Sequence, residues 1–286
     1  MRIALLHSRI RVEERMLIDE LTTRRIDHEV IDVRACTWSI HALDALRRFD
    51  VVVERCISQT QALAAVRLFE AAGVPCVNAS EVIDICGDKL RTSLALARAG
   101  VPTPRVHVAL DEPSALQAIE DMGYPCVLKP VTGSWGRLLA RVNDRDAAEA
   151  IVEHKGTLGS VQHGVFYVQE FVDKPGRDIR AFVSGDEVLC AISRASSHWI
   201  TNTARGGVAA ALPVGPALRD VCLAAARAVG GGVLAIDVLE TREGALTVGE
   251  VNHTMEFRNS VGPTGVNIPG RIIDFVLAHA GQAVNA

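Results

Sequence analysis

Residues Val233–Val261 read VLAIDVLETREGALTVGEVNHTMEFRNSV, and the rest of the chain can be read outward from them. VLAIDVLE is apolar except for Asp237 and Glu240, which predicts a strand buried on both sides. A polar turn, Thr241–Gly244, leads into a second strand, ALTVGEVN, which carries Glu250 and Asn252. Residues two apart on a strand share a face, so Glu250 and Asn252 point the same way, and pairing across the turn brings in Asp237. These oxygen-bearing side chains, with no cysteine and at most His253 nearby, suit a hard cation such as Mg2+. By spacing alone, the same hairpin also suits a sheet with one polar face in solvent. The apolar flanks weigh against that, because a lone aspartate in a doubly buried strand is costly unless it is paired or ligates a metal.

The length of 286 residues allows two or three domains and a sizeable core. A hydrophobic share of 49% with 22% charged residues is that of a globular chain, and a net charge of -4 without long charge runs gives no reason to expect nucleic-acid or membrane binding. The seven cysteines show no C-x-x-C spacing, which argues against a zinc cage or a disulfide framework and fits a cytoplasmic protein. No apolar run reaches membrane-spanning length.

In chain order, strands at Arg2–His7, His28–Val33, Phe49–Glu54 and Val74–Asn78 alternate with helices at Val12 to about Arg25 and about Gln59–Ala72, predicting a small parallel α/β domain over residues 1–86. It lacks G-x-G-x-x-G after its first strand. Asp88 is a candidate N-cap for a helix ending at Gly100, with Lys89 in its first turn, where the helix dipole disfavours a lysine. A helix is expected over Glu112–Met122. The buried strand that follows ends in Lys129-Pro130, and an ammonium there needs an anionic partner. A Gly-rich loop, Gly133-Ser134-Trp135-Gly136-Arg137, comes next; such a loop can offer backbone N–H groups to phosphate, although it is not a Walker A loop. Further strands are expected at Phe166–Val172, which includes Gln169, Glu170 and Phe171, and at Leu189–Ile192. Asp178 can pair with either Arg177 or Arg180. A helix over Ala217–Val229 ends at Gly230-Gly231-Gly232, and a last helix runs to Ala280.

Together these segments resemble the ATP-grasp ligases. Asp237-Val238-Leu239-Glu240 followed by E-[VI]-N at Glu250–Asn252 is similar to their metal-binding end, and G-D-K from Gly87 and Y-P-x-V-L-K-P from Tyr124 resemble their phosphate-holding lysines. Residues Glu250–Phe257 resemble the signature of the LysX-type amino-group carrier protein ligases, relatives of RimK, and R-x(7)-N-x-x-x-G-G from Arg194 to Gly207 resembles the RimK branch. The resemblance implies an α/β ATP-grasp fold with three domains, at 1–86, 87–172 and 173–286, and the nucleotide held between the last two.

It also implies roles for individual residues. Lys89, Lys129, Gly133, Ser134, Trp135, Gly136, Gln169, Glu170, Phe171, Val172 and Asp178 would bind ATP. Asp237, Glu250 and Asn252 would hold one or two Mg2+ ions. Arg194, Arg180 and Asn202 would face the phosphates and the reacting carboxyl. His198, Arg205, Arg258, Asn259 and Ser260 would bind the amino acid. The implied reaction joins α-aminoadipate to a small acidic carrier protein of LysW type, through an acyl phosphate, in lysine biosynthesis. Glutamate in place of α-aminoadipate, RimK-type glutamate ligation, and a nucleotide-binding scaffold without turnover remain open. A homo-oligomer is the expectation for its assembly.

Overall fold

The computed structural model describes residues 1–133, 138–159, 164–201 and 206–284, with side chains through 281. It opens with β1 (Arg2–His7), α1 (Val12–Thr23), β2 (Asp27–Asp32), β3 (Val51–Glu54), α2 (Gln59–Ala71) and β4 (Cys76–Val77). As the alternation requires, these strands form a parallel sheet, ordered β2-β1-β3-β4. Leu17 and Leu21 of α1 and Ala65, Val66 and Phe69 of α2 are buried in the cores on this sheet. Two helices follow, α3 (Ser80–Cys86) and α4 (Lys89–Arg98), where the sequence suggested a lead-in and one helix.

Next come β5 (Val106–Ala109), α5 (Glu112–Met122), β6 (Cys126–Lys129), β7 (Ala140–Val142), α6 (Arg145–Leu158) and β8 (Phe166–Glu170). Their strands pair antiparallel in the order β5-β8-β6-β7, and α5 and α6 pack on each other and on this sheet. The chain ends with β9 (Arg177–Ser184), β10 (Glu187–Ala195), β11 (Val208–Leu212), α7 (Pro216–Ala228), β12 (Val233–Glu240), β13 (Leu246–Asn252), α8 (Arg258–Thr264) and α9 (Ile268–Val284). Its sheet is antiparallel, ordered β11-β10-β9-β12-β13.

The two faces of this last sheet explain where the site lies. One face carries Ile179, Ala181, Leu234 and Ile236 and is covered by α7. The other carries Phe182, Ile192, Val233 and Ala235, which share a core with α9 and with β1 of the first sheet. Further along the strands, that second face continues with the same alternation into Asp178, Arg180, Arg194, Asp237 and Glu250. Apolar pairing thus holds the sheet at one end and leaves its polar end to the site. Asn78 ties the first sheet to the hairpin. Its amide donates to the carbonyls of Val233 (2.8 Å) and His253 (2.6 Å) and accepts from the Val233 N–H (2.7 Å). Among the described residues, no helix is long and apolar enough to cross a membrane.

Candidate functional site

Strand register builds a charged ladder across four strands. Arg194 lies opposite Asp178, Arg180 opposite Asp237, and Asp237 opposite Glu250. The register shifts at Asp237/Val238, where Gly249 has no partner in the ladder; a side chain at Gly249 would press on Leu239 at 3.2 Å. Asn252 pairs with Ala235, one step along the face from Asp237.

The ion pairs follow this geometry. Arg180 makes two bonds to Asp237 (2.7 and 2.8 Å), and Arg194 makes two to Asp178 (2.7 and 2.8 Å) while reaching Asp237 at 3.2 Å. Arg177 turns instead to Glu240 at 2.7 Å. This corrects the expectation that Asp178 pairs with Arg177 or Arg180. Neighbours in a strand face opposite ways, and Arg194 sits directly across from Asp178. Burial works against ionisation of Asp237, but Arg180 and then Arg194 outweigh it and hold its carboxyl well below the usual range.

Beside this ladder is a cleft of about 830 Å³, lined by residues of the second and third sheets. Lys89, Lys129 and Lys174 reach it, and so do Asp178, Asp237 and Glu250. Lys129 donates to Gln169 Oε1 at 2.7 Å, a contact set by β6 and β8, whose Val127 and Gln169 are paired. Burial pushes the Lys129 ammonium down to about 8, with Glu250 working in the other direction. Lys89 Nζ donates to the Gly133 carbonyl at 2.7 Å and lies 3.5 Å from Glu250. Phe171, Val172 and Trp199 add an apolar wall; Phe171 and Trp199 lie 6.4 Å apart, ring to ring. Glu170, by contrast, gives its carboxylate to Arg105 at 2.7 Å.

Lys174 is a site residue that the sequence reading missed. Its ammonium, lowered by burial and partly restored by Asp178, donates to Thr201 at 2.9 Å and sits 3.8 Å from Asp178. Its signal was its place just after the Gln169–Val172 segment, in a turn that reads as ordinary loop.

A second recess, of about 450 Å³, shares Arg194 with the cleft and is lined by Arg180, Arg258, Asn259, Ser260 and Glu13. Arg258, Asn259 and Ser260 are thus brought together as a group. Glu13 was missed because α1 belongs to the first sheet's layer. Next to it, Glu14 is fully buried and held by Arg11 and Arg55. His198 is not drawn into this recess; it is exposed, accepts from the Ile200 N–H at 3.0 Å and lies beside Trp199. The turn it makes with Ile200 points it there. Ser134, Trp135, Gly136, Asn202 and Arg205 lie outside the described residues.

Among the described residues, no group of three or more His, Cys, Asp or Glu side chains is placed to hold a metal. A set of two carboxylates and an amide is nonetheless hard-cation chemistry, and the register brings Asp237 and Glu250 face to face.

Comparison with known proteins agrees with this geometry. The family model described as LysX preATP-grasp domain matches residues 3–85, and the one described as RimK-like ATP-grasp domain matches residues 86–276. The chain is 33% identical over 278 residues to the glutamate–LysW ligase ArgX of Sulfurisphaera tokodaii, covering 96% of this chain and 98% of that one. It is 34% identical over 261 residues to the α-aminoadipate–LysW ligase LysX of Saccharolobus solfataricus, covering 90% and 94%. The crystal structure of a RimK domain ATP-grasp protein from Sphaerobacter thermophilus is similar with a TM-score of 0.80 at 30% identity, covering 97% of this chain and 100% of that one.

Proposed function

Because this chain belongs to the RimK-like ATP-grasp ligases, which use ATP, we propose that it joins the α-amino group of α-aminoadipate to the γ-carboxylate of the C-terminal glutamate of a LysW-type carrier protein. The observation that carries this reading is the shared wall between the two cavities: Arg194 borders both the lysine-lined cleft and the recess holding Arg180 and Arg258. A nucleotide phosphate and a dicarboxylate amino acid would meet there.

The chemistry runs in two steps. A carboxylate oxygen attacks the γ-phosphorus of ATP, and ADP leaves with the electron pair of the broken P–O bond. The amine nitrogen then attacks the acyl carbon, phosphate departs, and the nitrogen loses a proton. Such transfers need charge neutralisation and positioning more than an enzyme nucleophile. Lys89, Lys129 and Lys174 would neutralise phosphate charge, while Arg180 and Arg194 would face the acyl phosphate. Asp237, Glu250 and Asn252 would hold Mg2+, which supplies further neutralisation of the phosphates. The apolar wall of Phe171, Val172 and Trp199 would take the base, with backbone groups of the Gln169–Val172 segment reading its edge.

On this reading residues 1–86, 87–172 and 173–286 act as three domains of a cytoplasmic biosynthetic enzyme, assembled as a homo-oligomer. Glutamate is the second reading for the amino acid, favoured by the similarity to ArgX at the same level as to LysX. The two substrates differ by one methylene, worth only ~1–3 kcal/mol of discrimination. The test is ADP release with Mg-ATP and a LysW-type carrier, comparing the two amino acids, with the carrier weighed by mass spectrometry. An added α-aminoadipate supports the first reading, an added glutamate the second, and neither adduct nor ADP overturns both.

A further inference from the structure

Three arginines, Arg180, Arg194 and Arg258, and two glutamates, Glu13 and Glu256, line the recess beside the cleft, and Arg180 and Arg194 are already bonded to Asp237 and Asp178. Glu256 accepts from Arg11 at 3.0 Å, and Glu14, in the same helical turn as Glu13, is taken by Arg11 and Arg55. Glu13 is different. It is 1% exposed, yet its direct contacts among the described residues are loose, the Arg258 N–H at 3.4 Å and the Arg258 Nε at 3.9 Å, and Arg11, which also acts on it electrostatically, is already bonded to Glu14 and Glu256. Ionised carboxylates are rarely buried without close pairing, because removing them from water is costly. The first turn of α1, where the helix dipole favours negative charge, offsets only part of that cost.

We infer that Glu13 binds the ammonium group of the amino-acid substrate, an assignment that rests on the ligase reading of this recess. An α-amino acid carries its carboxylate and its ammonium on one carbon. Arg258 and Glu13 present the complementary pair of charges side by side. With Arg258 on the α-carboxylate and Glu13 on the ammonium, the amine is held next to Arg194, which also touches Asp237 at the edge of the cleft. The nitrogen is thereby placed on the side from which it must approach an acyl phosphate. Glu13 also gives the site a reason to reject a dicarboxylate without an amino group, since an unmatched buried carboxylate would remain.

The test compares ligand pairs that differ only in that group. Calorimetric titration of the full enzyme with ADP and Mg2+ present would use α-aminoadipate against hexanedioate, and glutamate against pentanedioate. The wild type is expected to bind the amino acid at least about tenfold more tightly than its des-amino counterpart. Glu13→Gln, which keeps the shape and removes the charge, is expected to abolish that preference, while Glu13→Asp keeps part of it. A wild type without the preference overturns the assignment, and so does a Gln variant that keeps it. Capture of the acyl phosphate by hydroxylamine, which is uncharged at neutral pH, is expected to proceed equally in wild type and Glu13→Gln with the carrier protein; its loss in the variant alone would move Glu13 out of amine recognition. Failure of capture in both enzymes would count against the carrier as acceptor, while the ligand preference would still decide the role of Glu13.

Discussion

Arg194 bridges Asp178 and Asp237, with its side chain 2% exposed and both aspartates nearly buried. Burial opposes its charge, and Asp237 and Asp178 more than restore it. One guanidinium therefore fixes two carboxylates of neighbouring strands. Arg194→Gln would leave both facing a buried neutral group, and loss of one partner from a buried ion pair costs about 3–5 kcal/mol. Urea unfolding should show a loss of that size. The depressed Asp237 carboxyl gives the sign of the pH dependence. Its contribution is complete above the ordinary carboxylate range and is lost as pH falls through and below it, so the difference between wild type and variant should shrink in acid.

Glu250 and Asp237 face each other across β12 and β13, but they are differently occupied. Asp237 carries two arginines, whereas Glu250, among the described residues, is ion-paired with Lys89 alone, at 3.5 Å, and is partly exposed. If both hold Mg2+, Glu250→Gln should raise the Mg2+ concentration needed for half-maximal ADP release at least about tenfold with little change in stability, since an exposed pair contributes ~0–1 kcal/mol. Asp237→Asn should lower both metal affinity and stability. Mn2+ binding followed by electron paramagnetic resonance checks the first effect without relying on turnover. Unchanged Mn2+ affinity in Glu250→Gln would remove it from the metal set.

The hairpin was legible because its chemistry and its pattern conflict: an aspartate inside VLAIDVLE demands a partner whatever the fold. The parallel first sheet was legible from alternation, and the helix expected at Glu112–Met122 is α5, which Asp111 caps and which ends at Gly123. What escaped lacks such marks. β11, VAAAL, is mostly exposed and has no alternation to read. α8 contains Gly262 and Pro263, which read as loop. Glu13 and Lys174 escaped for another reason. Each is an ordinary charged residue locally and becomes a site residue only when distant layers close around it, Glu13 against Arg258 and Lys174 against Asp178 and Thr201.

Asp88 connects a local rule to the site. Its carboxylate accepts from the N–H groups of Leu90 (2.8 Å) and Arg91 (3.0 Å), capping α4. The next residue, Lys89, is pinned by its own N–H to the Val131 carbonyl at 2.8 Å, and Asp88 bridges to Thr132 at the root of the Gly133 loop. Asp88→Ala removes the cap, a loss of about 0.5–2 kcal/mol. It should also loosen Lys89. The expected result is a modest fall in unfolding free energy with a several-fold rise in KM for ATP and an unchanged KM for the amino acid. Equal rises in both KM values would mean that the cap acts on the whole fold instead of on this lysine.

Lys129 sets a pH dependence for nucleotide binding. In the free cleft, burial brings its ammonium down to about 8, against the pull of Glu250, while Lys89 lowers it further. Nucleotide phosphates favour the charged form. Below pH 8 the lysine is already protonated and binding is insensitive to pH; above it, binding must take up a proton. Affinity for ATP should then fall by up to about tenfold per pH unit until the pKa of the bound state is reached. Lys129→Arg remains charged throughout this range, so its affinity should be flat where that of the wild type declines. The arginine fork fits the Gln169 contact less well, so the variant should also be weaker at neutral pH. Fluorescent-nucleotide titration of both proteins from pH 6.5 to about 9.5 separates these effects. A decline of the same slope in Lys129→Arg would assign the titration to another group of the cleft.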